Sequence, residues 1–231
     1  MHPYDIIAKY WEDLGIPKPD RDSLTRTINS IHDMSRGFQP ELVSRGKSVE
    51  VLMEEAAHEL AAVARRNGIP VDECIPNEPG SISYAEGADY IAELLREGKT
   101  VGMTGSPGCG KSTFLKDIAA RGAPALDEFW PIGSGDLYEM ALRELEELQS
   151  HGIGVVVAGC IVDPEYIDVR VHLRTTKEQR RRNLALSPMK HCEIRVAHFD
   201  VYTAVDWLSF EVQRRNAERV VVNQPRECAL F

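Results

Sequence analysis

The octapeptide Gly105-Ser106-Pro107-Gly108-Cys109-Gly110-Lys111-Ser112 has the spacing G-x-x-x-x-G-K-S, and each fixed position in that spacing serves the binding of a polyphosphate. Glycines let the backbone wrap so that several N–H groups converge on one point. A helix starting at Lys111 adds the positive end of its dipole, and the resulting concavity fits a β-phosphate. Lys111 is placed to reach β- and γ-phosphate oxygens and the Ser112 hydroxyl to ligate Mg2+, with Thr113 closing the cradle. As plain structure the stretch would be a glycine-rich turn. A strand expected over 101–104 and a helix over 111–120 supply the context that a phosphate loop needs and a chance match lacks.

A second group of reactive residues stands in Ala125-Leu126-Asp127-Glu128-Phe129-Trp130-Pro131. It puts two carboxylates at the C-terminal end of a short strand expected over 124–127, the sheet edge where ligands bind in open α/β folds. An alcohol is a poor nucleophile toward phosphorus, and a carboxylate within hydrogen-bond reach orients it and takes its proton. Asp127 suits that role and Glu128 suits a contact to Mg2+ through water; the plainer reading of Asp127 is a loop cap or a metal holder. Phe129 and Trp130 offer faces for a planar ring, or simply core. His191, Cys192 and His198 lack a fourth ligand or a recognised spacing for zinc. Cys109, inside the loop, is open to modification unless burial makes it inert.

The elements that must hold these residues fall into two patterns. From Lys99 onward strands and helices alternate: strands over 101–104, 124–127, 153–158, 168–173 and 219–222, with helices over 111–120, 136–150, 177–186 and 196–216 between them. Five strands so connected imply a parallel sheet covered on both faces. Before Lys99 the chain reads as helices. Tyr4, Ile7, Tyr10, Trp11 and Leu14 recur at helical spacing, a weaker candidate covers 23–34, and Ser48 opens a third helix that Gly68 ends. Residues 69–82, with Pro70, Pro76, Pro79 and Gly80, read as a linker, and Ser83-Tyr84-Ala85-Glu86 is a capping box for a helix running to Gly98. The expected organisation is a helical region over 1–80 and an α/β phosphate-binding domain over 83–231.

Composition narrows the class. The 231 residues are 43% hydrophobic and 27% charged, as in a globular protein. The longest apolar stretch, 153–162, is far shorter than the roughly 20 residues a bilayer crossing needs. The N-terminal segment has no basic start or apolar core of a secretory signal, so the cytoplasm is the expected compartment. Five cysteines without a C-x-x-C pair fit a reducing environment. The net charge of −9 is concentrated before residue 99, where 10 Lys+Arg face 18 Asp+Glu. That argues against a nonspecific nucleic-acid coat. Arg170, Arg174, Lys177, Arg180, Arg181 and Arg182 form a local basic run, either a solvated helix face or a phosphate-facing surface.

Over residues 99–223 these features together resemble the uridine kinase and nicotinamide riboside kinase family, in which an aspartate followed by an aromatic pair ends the second strand. The resemblance implies a P-loop NTPase fold and an ATP- and Mg2+-dependent kinase, with Asp127 as the acceptor of the hydroxyl proton. The segment 177–183 is similar to the family's arginine-bearing lid. Arg181 is assigned to the site, and since Arg181 and Arg182 cannot both face inward, part of the run is a solvated face. Ala158 departs from the family, which usually carries a glutamate there. The expected acceptor is a hydroxyl on a nucleoside-like small molecule. The alternatives are the hydroxymethyl group of a modified pyrimidine in DNA, as in viral DNA-modifying kinases, and a regulatory nucleotide-binding switch without catalysis. ATP against GTP, and the oligomeric state, are left open by the sequence.

Overall fold

The computed structural model describes residues 3–35, 46–69, 80–126, 136–159, 164–187 and 190–223. The chain forms two compact units: one made of Met1–Ile6, Ile75–Asn183 and Gln213–Phe231, the other of Ile7–Cys74 and Leu184–Val212. Residues 184–212 therefore group with the N-terminal helices, whereas the sequence places them with the phosphate-binding domain.

The first unit is a six-stranded parallel sheet. Its strands are β1 (Ile82–Ser83), β2 (Thr100–Thr104), β3 (Ala125–Leu126), β4 (Val155–Ala158), β5 (Val169–Thr175) and β6 (Arg219–Asn223), in the order β1-β6-β5-β2-β4-β3. The expectation of five strands is corrected by β1. That strand is only two residues long, and it pairs Ile82 with Val221 and Ser83 with Val222. Two residues carry no readable alternation, and Ser83 also serves as the N-cap of α4 (Tyr84–Arg96), where the Ser83–Glu86 capping box is complete. Helices α5 (Lys111–Ala119) and α6 (Asp136–Ser150) follow β2 and β3.

Strand alternation distributes the core over two faces. Val101, Met103, Val156, Ala158, Val171 and Leu173 pack with Ile91 of α4 and with Phe114 and Ile118 of α5. Val155 and Val157 turn the other way, onto Leu145 of α6 and its neighbours. Gly102 lies on this second face, where any Cβ would come within 2.9 Å of Ile167. Side chains tie the layers together. Gln149 of α6 donates to Thr100 Oγ1 (2.8 Å) and to the Tyr166 carbonyl (3.0 Å), and Tyr84 of α4 donates to Asp117 of α5 (2.6 Å) while its ring meets Phe114 edge-on.

In the second unit α1 (Pro3–Asp13), α2 (Lys18–Ser35) and α3 (Val49–Arg66) are joined by α8 (Lys190–Ala197) and most of α9 (Phe199–Arg215); α7 (Lys177–Ala185) precedes them in the chain. Helix α2 begins five residues before its expected start, because Pro19 falls in the first turn, where proline costs no hydrogen bond. Where one helix was expected over 196–216, a break at His198 separates α8 from α9. The core gathers Trp11, Leu24, Ile28, Ile31, Met53, Leu60 and Tyr202, all almost fully buried. Within it Arg195 Nη1 donates to both oxygens of Asp206 at 3.0 Å, and Arg195 Cζ lies 4.7 Å from the centre of the Tyr202 ring.

That ion pair gives a prediction. The Asp206 side chain is 0% exposed, so Asp206→Ala strands a buried guanidinium and should cost about 3–5 kcal/mol. Pairing Arg195→Met with Asp206→Leu should recover most of the loss, because a packed apolar pair replaces two desolvated charges. Urea midpoints of the single and double variants check both statements; a double variant as unstable as the single one would contradict the second.

Candidate active site at the phosphate loop

The site is built where β2 ends. Strand β2 is buried along its whole length, between β5 and β4. Its C-terminal end points at the sheet edge where the chain leaves for α5, the position at which open α/β sheets bind ligands. Gly105 turns the backbone there; a Cβ would stand 2.5 Å from the Leu173 carbonyl and 2.7 Å from Cys109 Sγ, so no larger residue fits. Gly110 is the N-cap of α5 with φ +101°, a left-handed conformation that favours glycine.

Every carbonyl from Gly105 to Gly110 has a donor. Lys111 Nζ donates to Gly105 O (2.6 Å) and, more distantly, to Ser106 O (3.4 Å); Ser106 O also accepts from the Cys109 amide (3.1 Å). Pro107 O accepts from Arg180 Nε (3.1 Å), Gly108 O from Asn183 Nδ2 (2.7 Å) and Cys109 O from Asn223 Nδ2 (3.1 Å). Gly110 O takes the Phe114 amide of α5 (3.0 Å). Carbonyls held on protein donors are one requirement of a loop that offers its remaining amides to an oxyanion. The first turn of α5 adds N–H groups that have no intrahelical acceptor.

Of the residues singled out by sequence, Gly105, Ser106, Pro107, Gly108, Cys109, Gly110 and Lys111 come together in this loop, and Ser112 and Thr113 lie exposed in the first turn of α5. Cys109 is buried and takes part in no disulfide. Asp127 and Glu128 lie outside the described residues; β3 ends one residue before Asp127, at the same sheet edge as β2 with β4 between them. Arg181 is exposed on α7, as is Arg182, whereas Arg180 is only 2% exposed and is the arginine that bonds to the loop.

Sequence reasoning passed over three residues, Asn183, Asn223 and His172, and met Arg174 only as a member of the basic run. Asn183 and Asn223 are ordinary-looking amides at the ends of a helix and a strand. His172 could have been noticed, because Val169, Val171 and Leu173 alternate with Arg170, His172 and Arg174 in a strand that has neighbours on both sides. Polar residues on such a strand need a reason. His172 is buried, and its Nδ1 lies 3.0 Å from Thr104 Oγ1, directly below the loop. Burial pushes its pKa down to about 3, and the charges of Arg174 and Lys111 push the same way. The imidazole is therefore neutral at physiological pH, and the positive charge beneath the loop belongs to the lysine and the arginine.

No family model matches the chain, and no curated protein does. Among solved structures it is similar to deoxyadenosine kinase from M. mycoides with bound dATP, at 12% identity and a TM-score of 0.34, over 54% of this chain and 89% of that one.

A histidine depressed from 6.5 to about 3 takes up its proton on unfolding anywhere between those values. The unfolded state then binds more protons than the folded one, so stability rises with pH across that window and is lost on acidification, by about 1.4 kcal/mol per pH unit from this group. His172→Asn should flatten the dependence of the urea midpoint on pH between 6.5 and 5. An unchanged slope would show that other groups set it.

Proposed function

We propose that this chain is an ATP- and Mg2+-dependent kinase that transfers the γ-phosphoryl group to a hydroxyl of a nucleoside-like small molecule. The observation that carries the reading is the closed set of carbonyl contacts from Gly105 to Gly110, which orders the loop as an anion receptor with Lys111 folded over it. The alternation of strands and helices around the loop and the resemblance of residues 99–223 to uridine kinase-like enzymes support it.

In this reaction the triphosphate lies on residues 105–113, and the lysine leaves Gly105 O for a phosphate oxygen of higher charge, a stronger hydrogen-bond acceptor than a carbonyl. Ser112 fits the task of a Mg2+ ligand: it is exposed beside the cradle, and Mg2+ in such sites takes one or two protein ligands along with phosphate oxygens and water. The bound ion supplies neutralisation of β- and γ-phosphate charge, and Glu128 is assigned a contact to it through water. The acceptor hydroxyl forms a bond to the γ-phosphorus and gives its proton to Asp127, while the bond from phosphorus to the bridging oxygen breaks and ADP departs. Arg181, exposed on α7, is assigned to cover the transferring group when the acceptor is in place.

Lys111→Ala should reduce phosphoryl transfer by about 100-fold or more while costing the free protein no more than about the one hydrogen bond that Gly105 O loses. Transfer of labelled γ-phosphate across a panel of nucleosides, vitamins, sugars and hydroxymethylated DNA provides the assay. Slow hydrolysis that no acceptor accelerates would point to a nucleotide switch instead. Asp127→Asn should lower turnover by about 100-fold or more with little change in ATP affinity, because the carboxylate matters when the hydroxyl attacks. Full restoration of the rate by raised Mg2+ would reassign Asp127 to the metal.

A further inference from the structure

Three consecutive carbonyls of the loop, those of Pro107, Gly108 and Cys109, are held by side chains from outside it. We propose that Asn183 and Asn223 are positioning residues that hold the loop in its phosphate-receiving shape before any ligand arrives, and that α7 is a fixed strut for the loop where it holds Gly108; this rests on reading the loop as the nucleotide phosphate site.

The geometry is specific. Arg180 and Asn183 are three residues apart on α7, hence on one face, and they reach adjacent carbonyls of the loop. The Asn183 amide is oriented from behind: Gln179 Nε2 donates to Asn183 Oδ1 (2.8 Å), which leaves Nδ2 to face Gly108 O. The helix is fixed at its own start, where Thr176 Oγ1 accepts from the Gln179 amide (3.2 Å) and Thr176 O from the Arg180 amide (2.9 Å). From the other side Asn223 closes β6. Thr175 Oγ1 donates to its carbonyl (2.7 Å), and its side-chain amide lies 2.6 Å from the point where Gly110 would carry a Cβ. The glycine there admits the asparagine as well as the turn.

The peptide that carries Gly108 O also carries the Cys109 N–H, which closes the turn onto Ser106 O, and the peptide that carries Cys109 O also carries the Gly110 N–H; a carbonyl that loses its donor lets its peptide rotate and frees the loop to sample shapes that do not bind an anion. The competent fraction then multiplies affinity directly. Removing the amide should appear as weaker phosphate binding and as loosening confined to the loop, whereas a residue that only stabilises the fold would loosen the core alike.

The test compares full-length wild type with Asn183→Leu and Asn223→Ala. Binding of inorganic tripolyphosphate and of ATP with Mg2+ is measured by calorimetry, and amide hydrogen exchange is followed in the ligand-free protein. Each variant should weaken tripolyphosphate binding roughly tenfold, the scale of one hydrogen bond. Exchange over 105–112 should accelerate, with β2, β4 and β5 unchanged. Wild-type affinity together with unchanged loop exchange in both variants would overturn the proposal and leave the kinase reading standing. If wild type binds neither probe, the nucleotide reading fails, and the exchange comparison alone decides whether the amides hold the loop. Should a variant also lose protection in the sheet, Gln179→Ala decides, since it acts on Gly108 only through the orientation of Asn183: a smaller change of the same kind supports the proposal, and none overturns it.

Discussion

A loop that is to offer amides to an anion must settle its carbonyls on protein donors, and at residues 105–110 that constraint governs the surrounding architecture. A carbonyl left without a donor in a buried place costs about as much as the hydrogen bond it lacks. Six in succession need six donors, which no single element supplies. Lys111 and the first turn of α5 serve the ends of the loop, and the middle depends on α7 and on the last residue of β6. Both arrive from the same direction because the sheet runs β6-β5-β2, with α7 following β5. Under the proposed function, the strands on that side of β2 build the phosphate receptor. Those on the other side, β4 and β3, lead toward Asp127 and the acceptor chemistry assigned to it.

The charge of the receptor is insulated from pH by the same packing. A histidine beneath a phosphate site would ordinarily act as a switch near neutrality. His172 cannot, since burial, Arg174 and Lys111 all oppose its protonation and carry its pKa down to about 3. Its role becomes that of a neutral neighbour to Thr104, at the residue immediately before the loop turns.

Much of this was legible in the sequence, for identifiable reasons. The loop motif, the Ser83 capping box and the amphipathic run of α6 are local patterns, and the chain adopts them with shifts of a residue or two. What depended on tertiary position was not legible. The stretch Lys177–Ala185 has too little apolar periodicity to reveal which side of the helix faces inward, so Arg181 was assigned to the site while Arg180 is the buried member. Strand β1 exists because β6 lies beside it, and nothing in an Ile-Ser dipeptide announces that. Asn183 and Asn223 acquire meaning only when folding brings residues 75 and 114 positions away in the chain against them.

The departure at Ala158 follows from the same geometry. Ala158 ends β4, pairs with Met103 of β2, and is fully buried among the apolar residues that α4 and α5 cover. The next residue, Gly159, gives its amide to Met103 O, so the strand pairing continues past the point where a side chain could turn toward the sheet edge. A glutamate at 158 would put a carboxylate into that apolar cluster, where desolvation opposes its charge. The position is a piece of core in this chain. Under the proposed chemistry the carboxylate work falls to the consecutive pair after β3, with Asp127 for the proton and Glu128 for the metal's water.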